Sequence, residues 1–224
     1  MLLLALDTAT PAVTVALHDG TRLLAEATAV DARRHGELLA PGIAEVLADA
    51  GADRRDLTDV AAGTGPGPFT GLRVGLVTGR TLALALDVRL HGVCTLDALA
   101  ARALLDGTPG LGSRFVAATD ARRREVYWAG YEGDDLAGLR RVQGPAVDRA
   151  ADVPLEGRPV VGRGAELYAE SLGDAHGPLD PSGAAMAELV VAWLAAGRTF
   201  DELEPRYLRR PDVAAPVPRK SALR

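Results

Sequence analysis

The stretch from Gly63 to Asp87 constrains the fold more than any other part of this sequence. It begins as a loop rich in glycine and proline, a composition that disfavours both helix and strand. Thr70 is a good N-cap residue, so we expect a helix from there to about Leu86. Everything else in the chain is interpreted relative to this loop and helix.

Small residues recur every four positions in this helix and therefore share one face. They are Gly71, Gly75, Gly79 and Ala83. A glycine inside a helix costs up to about 1 kcal/mol relative to alanine, so three on one face need a structural reason. The pattern predicts that another backbone approaches closely along this face, either from the same chain or from a partner.

The first half of the chain has the pattern of a three-stranded antiparallel meander followed by helices and single strands. Asp19-Gly20 supplies a hairpin turn, and Leu38, Leu39 and Ile43 lie on the apolar side of the next helix. Thr95 is expected to cap the last helix of this half. The predicted strands are 2–5, 13–17, 22–30, 59–62 and 88–94, and the predicted helices are 35–50, 70–86 and 96–105.

A segment rich in turn-forming residues, 106–113, interrupts this pattern, which then starts again. The second half has predicted strands at 115–119, 125–131, 139–142 and 159–162 and a helix at 182–196. The first strand of each half ends on an aspartate, Asp7 and Asp120. We therefore predict an α/β chain of two similar lobes, 1–106 and a smaller 107–203, with a C-terminal tail at 204–224.

Composition excludes several classes of protein. The net charge of −5 argues against a broad nucleic-acid-binding surface. The lone Cys94 excludes an intrachain disulfide and a cysteine-based zinc site, and its position after an apolar run predicts a buried, unreactive thiol. Asp7 interrupts the apolar N-terminus, which has no basic n-region, so residues 1–6 are interpreted as a strand. We expect a cytoplasmic protein.

The turn that begins at Asp7-Thr8 has two interpretations. In a nucleotide-binding fold it would hold magnesium-bound phosphate through its carboxylate, hydroxyls and backbone N–H groups. The alternative, which we favour, is a hairpin connection whose side chains satisfy local backbone groups. The corresponding segment of the second half, Asp120 to Arg124, is not glycine-rich, and we expect a solvated turn there.

The loop from Gly63 to Gly67 resembles phosphate-binding loops only superficially. It lacks the lysine of a Walker A loop, and Pro66 and Pro68 remove two N–H donors that a phosphate cradle would use. An anion could still sit at the helix N-terminus near Thr70 and Arg73. The four histidines show no metal-ligand spacing, and the sequence contains no recognisable catalytic constellation.

Several segments together resemble the bacterial TsaB (YeaZ) family. The most specific is Gly65-Pro-Gly-Pro-Phe-Thr-Gly-Leu-Arg-Val-Gly75, in which Pro68 replaces the usual serine. The resemblance covers nearly the whole chain. Its other segments are 4–10, 34–41, 92–99, 120–122, 125–128 and 204–209.

The resemblance implies a two-lobed actin-like ATPase (ASKHA, ribonuclease H-like) fold with a duplicated strand meander and helices. It also implies a role in making threonylcarbamoyladenosine on tRNAs that read codons beginning with A. The catalyst in that family is the paralogue TsaD, whose metal-binding His-x-x-x-His falls where this chain has Thr95 and Leu99. The chain is therefore expected to have no metal or cofactor of its own and to act as a non-catalytic scaffold, with ATP and metal in the partner subunits.

The resemblance further implies pairing with TsaD through the two helices of the first lobe, with the ATPase TsaE joining the assembly and tRNA reached only through the complex. A homodimer could form when the chain is alone. Two alternatives remain open: an ATP-dependent kinase or ATPase that uses Asp7 and Asp120, and a homodimeric regulatory protein. In the non-catalytic interpretation, Asp7, Thr8 and Asp120 mark a vestigial nucleotide cleft. The expected partner interface consists of Leu38, Leu39, Ile43, Thr70, Gly71, Arg73, Gly75, Leu76, Gly79 and Ala83.

Overall fold

A computed structural model describes residues 1–209 of the chain. The strands in this part are β1 (Leu3–Asp7), β2 (Ala12–His18), β3 (Leu23–Val30), β4 (Asp59–Gly63), β5 (Arg89–Val93), β6 (Arg114–Arg122), β7 (Glu125–Glu132), β8 (Arg140–Arg149), β9 (Val160–Val161) and β10 (Ala175–His176). The α-helices are α1 (His35–Asp49), α2 (Phe69–Leu86), α3 (Thr95–Leu105), α4 (Arg163–Leu167), α5 (Ala169–Leu172) and α6 (Gly183–Ala195).

The first sheet has the order β3-β2-β1-β4-β5. β1 pairs antiparallel with β2, with Leu4 opposite Leu17, and parallel with β4, with Leu4 opposite Val60. β1, β2 and β4 are buried along their whole length, as expected for strands covered on both faces. The carboxyl ends of β1 and β4 lie side by side, which places Asp7 next to Gly63.

The second sheet repeats the first. Its order is β10-β9-β6-β7-β8, with β6 antiparallel to β7 and parallel to β9. Read from the other edge, this is a three-strand meander followed by two parallel strands, as in the first sheet. The predicted α/β fold with two lobes and a duplicated meander is therefore confirmed.

Helices α3 and α6 lie between the two sheets and join them into one core. The cluster around them contains Leu3 and Val93 from the first sheet and Phe115 and Tyr131 from the second. Gly183 at the start of α6 packs so closely on the first sheet that a Cβ there would lie 2.8 Å from the backbone nitrogen of Ala16. Residues 183–195, predicted as part of the smaller lobe, thus also pack on the larger one.

The outer faces of the sheets are covered separately. Helices α1 and α2 cover the first sheet, where Leu39, Val46 and Leu76 pack against Leu4 and Leu6. The short helices α4 and α5 cover the second sheet. Within residues 1–209, no helix is both long enough and apolar enough to cross a membrane.

Three local predictions were wrong. Helix α2 begins at Phe69 with Pro68 at the N-cap position, so Thr70 lies inside the first turn. The N-cap of α3 is Cys94, and Thr95 is its first helical residue. Strand β8 extends to Arg149, well beyond the predicted 139–142, because pairing with β7 continues past register shifts near Gly130.

The C-terminal segment 201–209 returns across the molecule. The N–H of Asp201 donates to the Gly92 carbonyl beside β5, and the N–H of Arg206 donates to the Thr64 carbonyl. The guanidinium of Arg209 reaches the Ala121 carbonyl in the second sheet. The remainder of the predicted tail, 210–224, lies outside the described residues.

Candidate functional site

Asp7, at the carboxyl end of β1, is fully buried and bonded within the fold. Its Oδ2 accepts from the Thr95 hydroxyl at 2.7 Å, and its Oδ1 accepts from the N–H of Ala9 at 2.6 Å. Gly63 leaves room for this carboxyl group, since a Cβ there would lie 2.0 Å from Oδ2. Burial raises the pKa of Asp7 to about 6, and the Thr95 hydrogen bond opposes the shift.

The Thr8 side chain also makes its hydrogen bonds within the fold. Its hydroxyl donates to the Gly71 carbonyl at 2.6 Å and accepts from the N–H of Gly75 at 2.8 Å. These two bonds tie β1 to the interior of α2. Asp7 and Thr8 therefore do not line the cleft between the lobes, in contrast to their assignment to a vestigial nucleotide cleft.

The glycine face of α2 packs against the chain's own first sheet. A Cβ on Gly71 would lie 2.6 Å from the Thr8 carbonyl oxygen, one on Gly75 would lie 2.6 Å from Thr8 Oγ1, and one on Gly79 would lie 2.9 Å from Ala62 Cβ. The approaching backbone therefore belongs to this chain. A partner cannot occupy the same face, which corrects the interface assignment of the buried residues Leu39, Gly71, Gly75, Leu76, Gly79 and Ala83.

The opposite face of α2 is open to solvent. Val77 is 58% exposed and Leu84 is 86% exposed, and their seven-residue spacing places them on one side of the helix. Thr70 and Arg73, from the predicted interface, are exposed on the same side. Val77 and Leu84 are not among the interface residues predicted from the sequence, although they could have been found as the apolar positions opposite the glycines.

The other two predicted interface residues, Leu38 and Ile43 of α1, are half-buried and pack against the core below them. They lie at the margin of the exposed surface. Contact of Leu38, Ile43, Thr70 and Arg73 with a partner stays a prediction.

Arg73 belongs to an aromatic cluster that joins α2 to the C-terminal segment. Its guanidinium carbon lies 3.6 Å from the centre of the Phe69 ring, and its Nε donates to the Tyr207 hydroxyl at 2.6 Å. The Phe69 and Tyr207 rings stack with their centroids 4.9 Å apart. Arg73 is therefore held by its own chain, which weakens the expectation of an anion site near Thr70 and Arg73.

The cleft between the lobes contains a pocket of about 250 Å³, below the roughly 300–1,000 Å³ of most ligand sites. Asp120 is the one residue of the three predicted for a nucleotide cleft that lines it. The Tyr168 hydroxyl donates to Asp120 at 3.1 Å, and the guanidinium of Arg163 pairs with Asp180 across the pocket. Local donors thus already engage both of the pocket's carboxylates.

A second cluster of carboxylates lies beneath the C-terminal segment. The sulfur of Cys94 and one carboxylate oxygen each of Asp97 and Asp201 lie within 4.8 Å of one another, a spacing at which they could hold a metal ion. Two arginines balance these carboxylates. Arg141 Nη1 donates to both oxygens of Asp97 at 3.1 Å and its Nη2 donates to Asp201 at 3.1 Å, and Arg206 pairs with Asp201 at 2.6 Å. The Tyr131 hydroxyl donates to Asp97 at 2.7 Å. This donor set fits a structural ion-pair network better than a metal site.

Burial dominates the protonation behaviour of this network. It raises the pKa of Asp97 to about 6, while Arg141 opposes the rise. It raises the pKa of Cys94 to about 12, so the thiol stays protonated at neutral pH and is a poor nucleophile. The prediction that Cys94 is buried is confirmed.

Replacing Asp7 with asparagine is expected to change how stability depends on pH. The folded-state pKa of Asp7, about 6, lies above the ordinary value of 3.8 for an aspartate, so the folded protein binds this proton more tightly than the unfolded chain. The contribution of this proton to the free energy of unfolding is fully present below the unfolded-state pKa. It is lost as the pH rises through the folded-state pKa, and the loss is about 3 kcal/mol for this shift. Asp7→Asn should therefore gain stability relative to wild type between about pH 4 and about pH 8.

Urea unfolding at the two pH values measures this gain, which we expect to be roughly 2–3 kcal/mol. Asp134→Asn, at an exposed turn, is the matched control and should leave the pH profile unchanged. An Asp7→Asn profile parallel to that of wild type would mean that the buried carboxyl does not hold a proton in this interval.

Comparison with known families gives a match over most of the chain. The model of the family described as TsaD, tRNA N6-adenosine threonylcarbamoyltransferase, matches residues 22–178. The Escherichia coli protein named tRNA threonylcarbamoyladenosine biosynthesis protein TsaB is 38% identical over 60% of this chain and 57% of its own length. An uncharacterized protein of Mycobacterium tuberculosis is 44% identical over 94% of this chain and 92% of its own length.

Comparison with solved structures extends the match to the fold. The structure described as YeaZ from Pseudomonas aeruginosa superposes with a TM-score of 0.78 at 32% identity, over 92% of this chain and 99% of that one. A second Pseudomonas aeruginosa structure, described as an uncharacterized protein with similarity to peptidase YeaZ, gives a TM-score of 0.80 at 31% identity, over 93% and 99% of the two chains. Sequence and backbone therefore agree across both lobes.

Proposed function

The chain belongs to the TsaB (YeaZ) family, and from this premise we propose that it is a non-catalytic subunit in tRNA threonylcarbamoyladenosine biosynthesis. A role in this biosynthesis follows from the relatives named for it. The finer proposal is that the chain binds TsaD, with TsaE joining the assembly, and supports threonylcarbamoyl transfer to adenosine in tRNAs that read codons beginning with A. ATP and metal would then be bound by the partner subunits.

The internal use of Asp7 and Thr8 supports the non-catalytic part of the proposal. Asp7 accepts from Thr95 and Ala9 inside the core, and Thr8 is bonded to α2. A general acid, base or metal ligand must reach the reacting group, and neither side chain reaches the cleft. Thr95 and Leu99, where the family's metal-binding histidines would fall, are both fully buried.

The observation that carries the proposal is the exposed apolar stripe on α2. Leu84 and Val77 are large apolar side chains left in solvent on a helix whose other face is already fully packed. Apolar residues grouped on one exposed face mark protein interaction sites. Together with the half-buried Leu38 and Ile43 of α1, they provide the centre of a surface that could reach the roughly 800 Å² per partner of a stable interface.

Replacing Leu84 with aspartate is expected to weaken binding of TsaD at least about tenfold, since a charge would be buried at the centre of the contact. Leu84 is 86% exposed, so the substitution should not change the thermal midpoint of the chain. Calorimetric titration with TsaD and a tRNA modification assay measure the two effects. Leu105→Asp is the matched control, because Leu105 is also exposed, at 50%, but lies on α3.

Normal TsaD binding by a folded Leu84→Asp variant would place the partner elsewhere on the chain.

The alternative function is an ATP-dependent kinase or ATPase. It predicts tight, magnesium-dependent nucleotide binding by the isolated chain, and this binding would require Asp120, a carboxylate that lines the cleft. Absence of such binding by wild type, together with TsaD binding, would favour the scaffold role. A homodimeric regulator would instead form a dimer that TsaD cannot dissociate.

A further inference from the structure

The turn between β6 and β7 has three consecutive arginines in the left-handed region of the backbone map. The φ angles of Arg122, Arg123 and Arg124 are 64°, 55° and 64°. Arg122 pairs with Glu125 across the hairpin, so Arg123 and Arg124 form a two-residue loop. Loops of this geometry strongly favour Asn-Gly, because a side chain at positive φ is strained. Arginine is therefore a poor choice for the turn itself.

This conformation is fixed by the surrounding structure. The N–H of Arg122 donates to Asp120 Oδ1 at 2.8 Å, and the N–H of Ala150 donates to the Arg124 carbonyl at 3.1 Å. Arg209 of the C-terminal segment bonds the Ala121 carbonyl at the base of the hairpin. Strained residues that are held in place by their surroundings are concentrated at functional sites. The residue type is thus better explained by what the side chains do than by the turn.

An open groove of about 850 Å³ lies beside the hairpin. Arg123, Arg124 and Arg149 contribute to its wall, as do the half-buried Tyr168 ring and the exposed Leu167. Its carboxylates are Glu166 and Glu170, and Glu166 is already paired with Arg163 at 3.2 Å.

RNA-binding surfaces combine cationic side chains, which pair with phosphates, with aromatic rings on which unstacked bases stack, and the arginines and the Tyr168 ring supply both here. A free small phosphate would use the arginines but leave the apolar wall without a role. The overall charge of the chain is −5, so this basic turn is a local feature and not part of a broad basic surface.

We propose that the arginine hairpin (Arg122–Arg124) and the adjoining groove bind the phosphate backbone of RNA, and that the RNA is the tRNA being modified. The identity of the RNA rests on the proposed function, whereas the RNA-binding surface rests on the hairpin and groove alone. The chain then contacts tRNA directly, in addition to any contact made by its partners.

The variant Arg123→Asn/Arg124→Gly tests this proposal because it removes two cations and installs the sequence that the turn prefers. Its thermal midpoint should equal or exceed that of wild type. Binding of a fluorescently labelled, unmodified tRNA transcript, measured by anisotropy at several KCl concentrations, should weaken at least about fivefold. The slope of log affinity against log salt should fall by about 1–2, as expected for the loss of two phosphate contacts.

The control is Arg54→Gln/Arg55→Gln, which removes the same charge from an exposed 3₁₀ turn in the first lobe and should keep wild-type affinity and slope. Equal affinity and slope for the hairpin variant and wild type would overturn the proposal, as would an equal loss in the control. Loss of TsaD binding by the hairpin variant, with tRNA binding retained, would identify the hairpin as a protein contact and also overturn it.

The proposed function and the proposed RNA-binding surface can be disproved independently of each other. If the wild-type chain does not bind TsaD yet binds tRNA through the hairpin, the proposed function is wrong and the RNA-binding surface stands. If Leu84→Asp abolishes TsaD binding while the hairpin variant retains full tRNA affinity, the proposed function stands and the RNA-binding surface does not.

Discussion

Replacing Arg141 with methionine is expected to lower the free energy of unfolding by about 3–5 kcal/mol at neutral pH. Arg141 bridges the buried Asp97 and the half-buried Asp201, whose side chains are 4% and 16% exposed. Methionine fills much of the same volume but removes the guanidinium that pairs with Asp97, and the remaining cation of the cluster, Arg206, pairs with Asp201. Breaking a buried pair from one side is costly because the remaining charge has lost its hydration without compensation. Urea unfolding monitored by circular dichroism measures the loss.

The loss should depend on pH in a definite direction. Burial holds the pKa of Asp97 at about 6 even with Arg141 opposing the rise, so removing the guanidinium raises it further. At about pH 5 the carboxyl is largely protonated, and the variant should be closer to wild type than at about pH 8, where the carboxyl must either stay buried as an unpaired charge or take up a proton from a more alkaline solution. A deficit of equal size at both pH values would mean that lost packing, not lost charge compensation, causes the effect.

Two controls separate the charge effect from a general effect of substitution. Arg140→Met removes the neighbouring arginine, which pairs with Glu132 at the surface, and should cost no more than about 1 kcal/mol. Asp97→Asn combined with Arg141→Met should recover much of the stability, because replacing both members of a buried pair is often nearly neutral. If the double variant is as unstable as Arg141→Met alone, the Asp97 charge is not the cause.

The sequence was sufficient to predict the two strand meanders but not what lies between the sheets. Alternation and turn residues such as Asp19-Gly20 are local signals, and the meanders they predicted are present. Helix α6 is apolar on most sides, so its pattern cannot specify which sheet it packs on. The network around Arg141 joins residues 44 and 60 positions away in the chain, and no local pattern contains such a contact.

In the candidate site, too, the local pattern was predicted from the sequence and the long-range contacts were not. The four-residue spacing from Gly71 to Ala83 correctly predicted a close backbone approach, but periodicity does not say which backbone approaches. The answer depends on Thr8, whose two hydrogen bonds to α2 form only once β1 and the helix are in place. Since the glycines face inward, the partner surface that we propose on α2 uses the opposite face, where Val77 and Leu84 are exposed.

Replacing Gly75 with alanine is expected to destabilise the fold by roughly 2–4 kcal/mol, although alanine is the better helix former. The new Cβ would lie 2.6 Å from Thr8 Oγ1, and that hydroxyl cannot move without losing its bonds to Gly71 and Gly75. Overpacking and two lost hydrogen bonds together outweigh the gain in helix propensity. The thermal midpoint should fall by roughly 5–10 °C for a chain of this size, whereas Gly36→Ala, with nothing within 4 Å, should not lower it.

A double-mutant cycle with Thr8→Ala tests whether the clash is the cause. Removing the hydroxyl leaves space for the new methyl group, so the double variant should be more stable than the sum of the single effects predicts, by at least about 1 kcal/mol. Additive effects would show that the strain lies elsewhere. Because the glycine face is internal, folded Gly75→Ala should bind TsaD as wild type does, whereas Leu84→Asp should not. The reverse result would mean that α2 separates from β1 to bind its partner through the glycines.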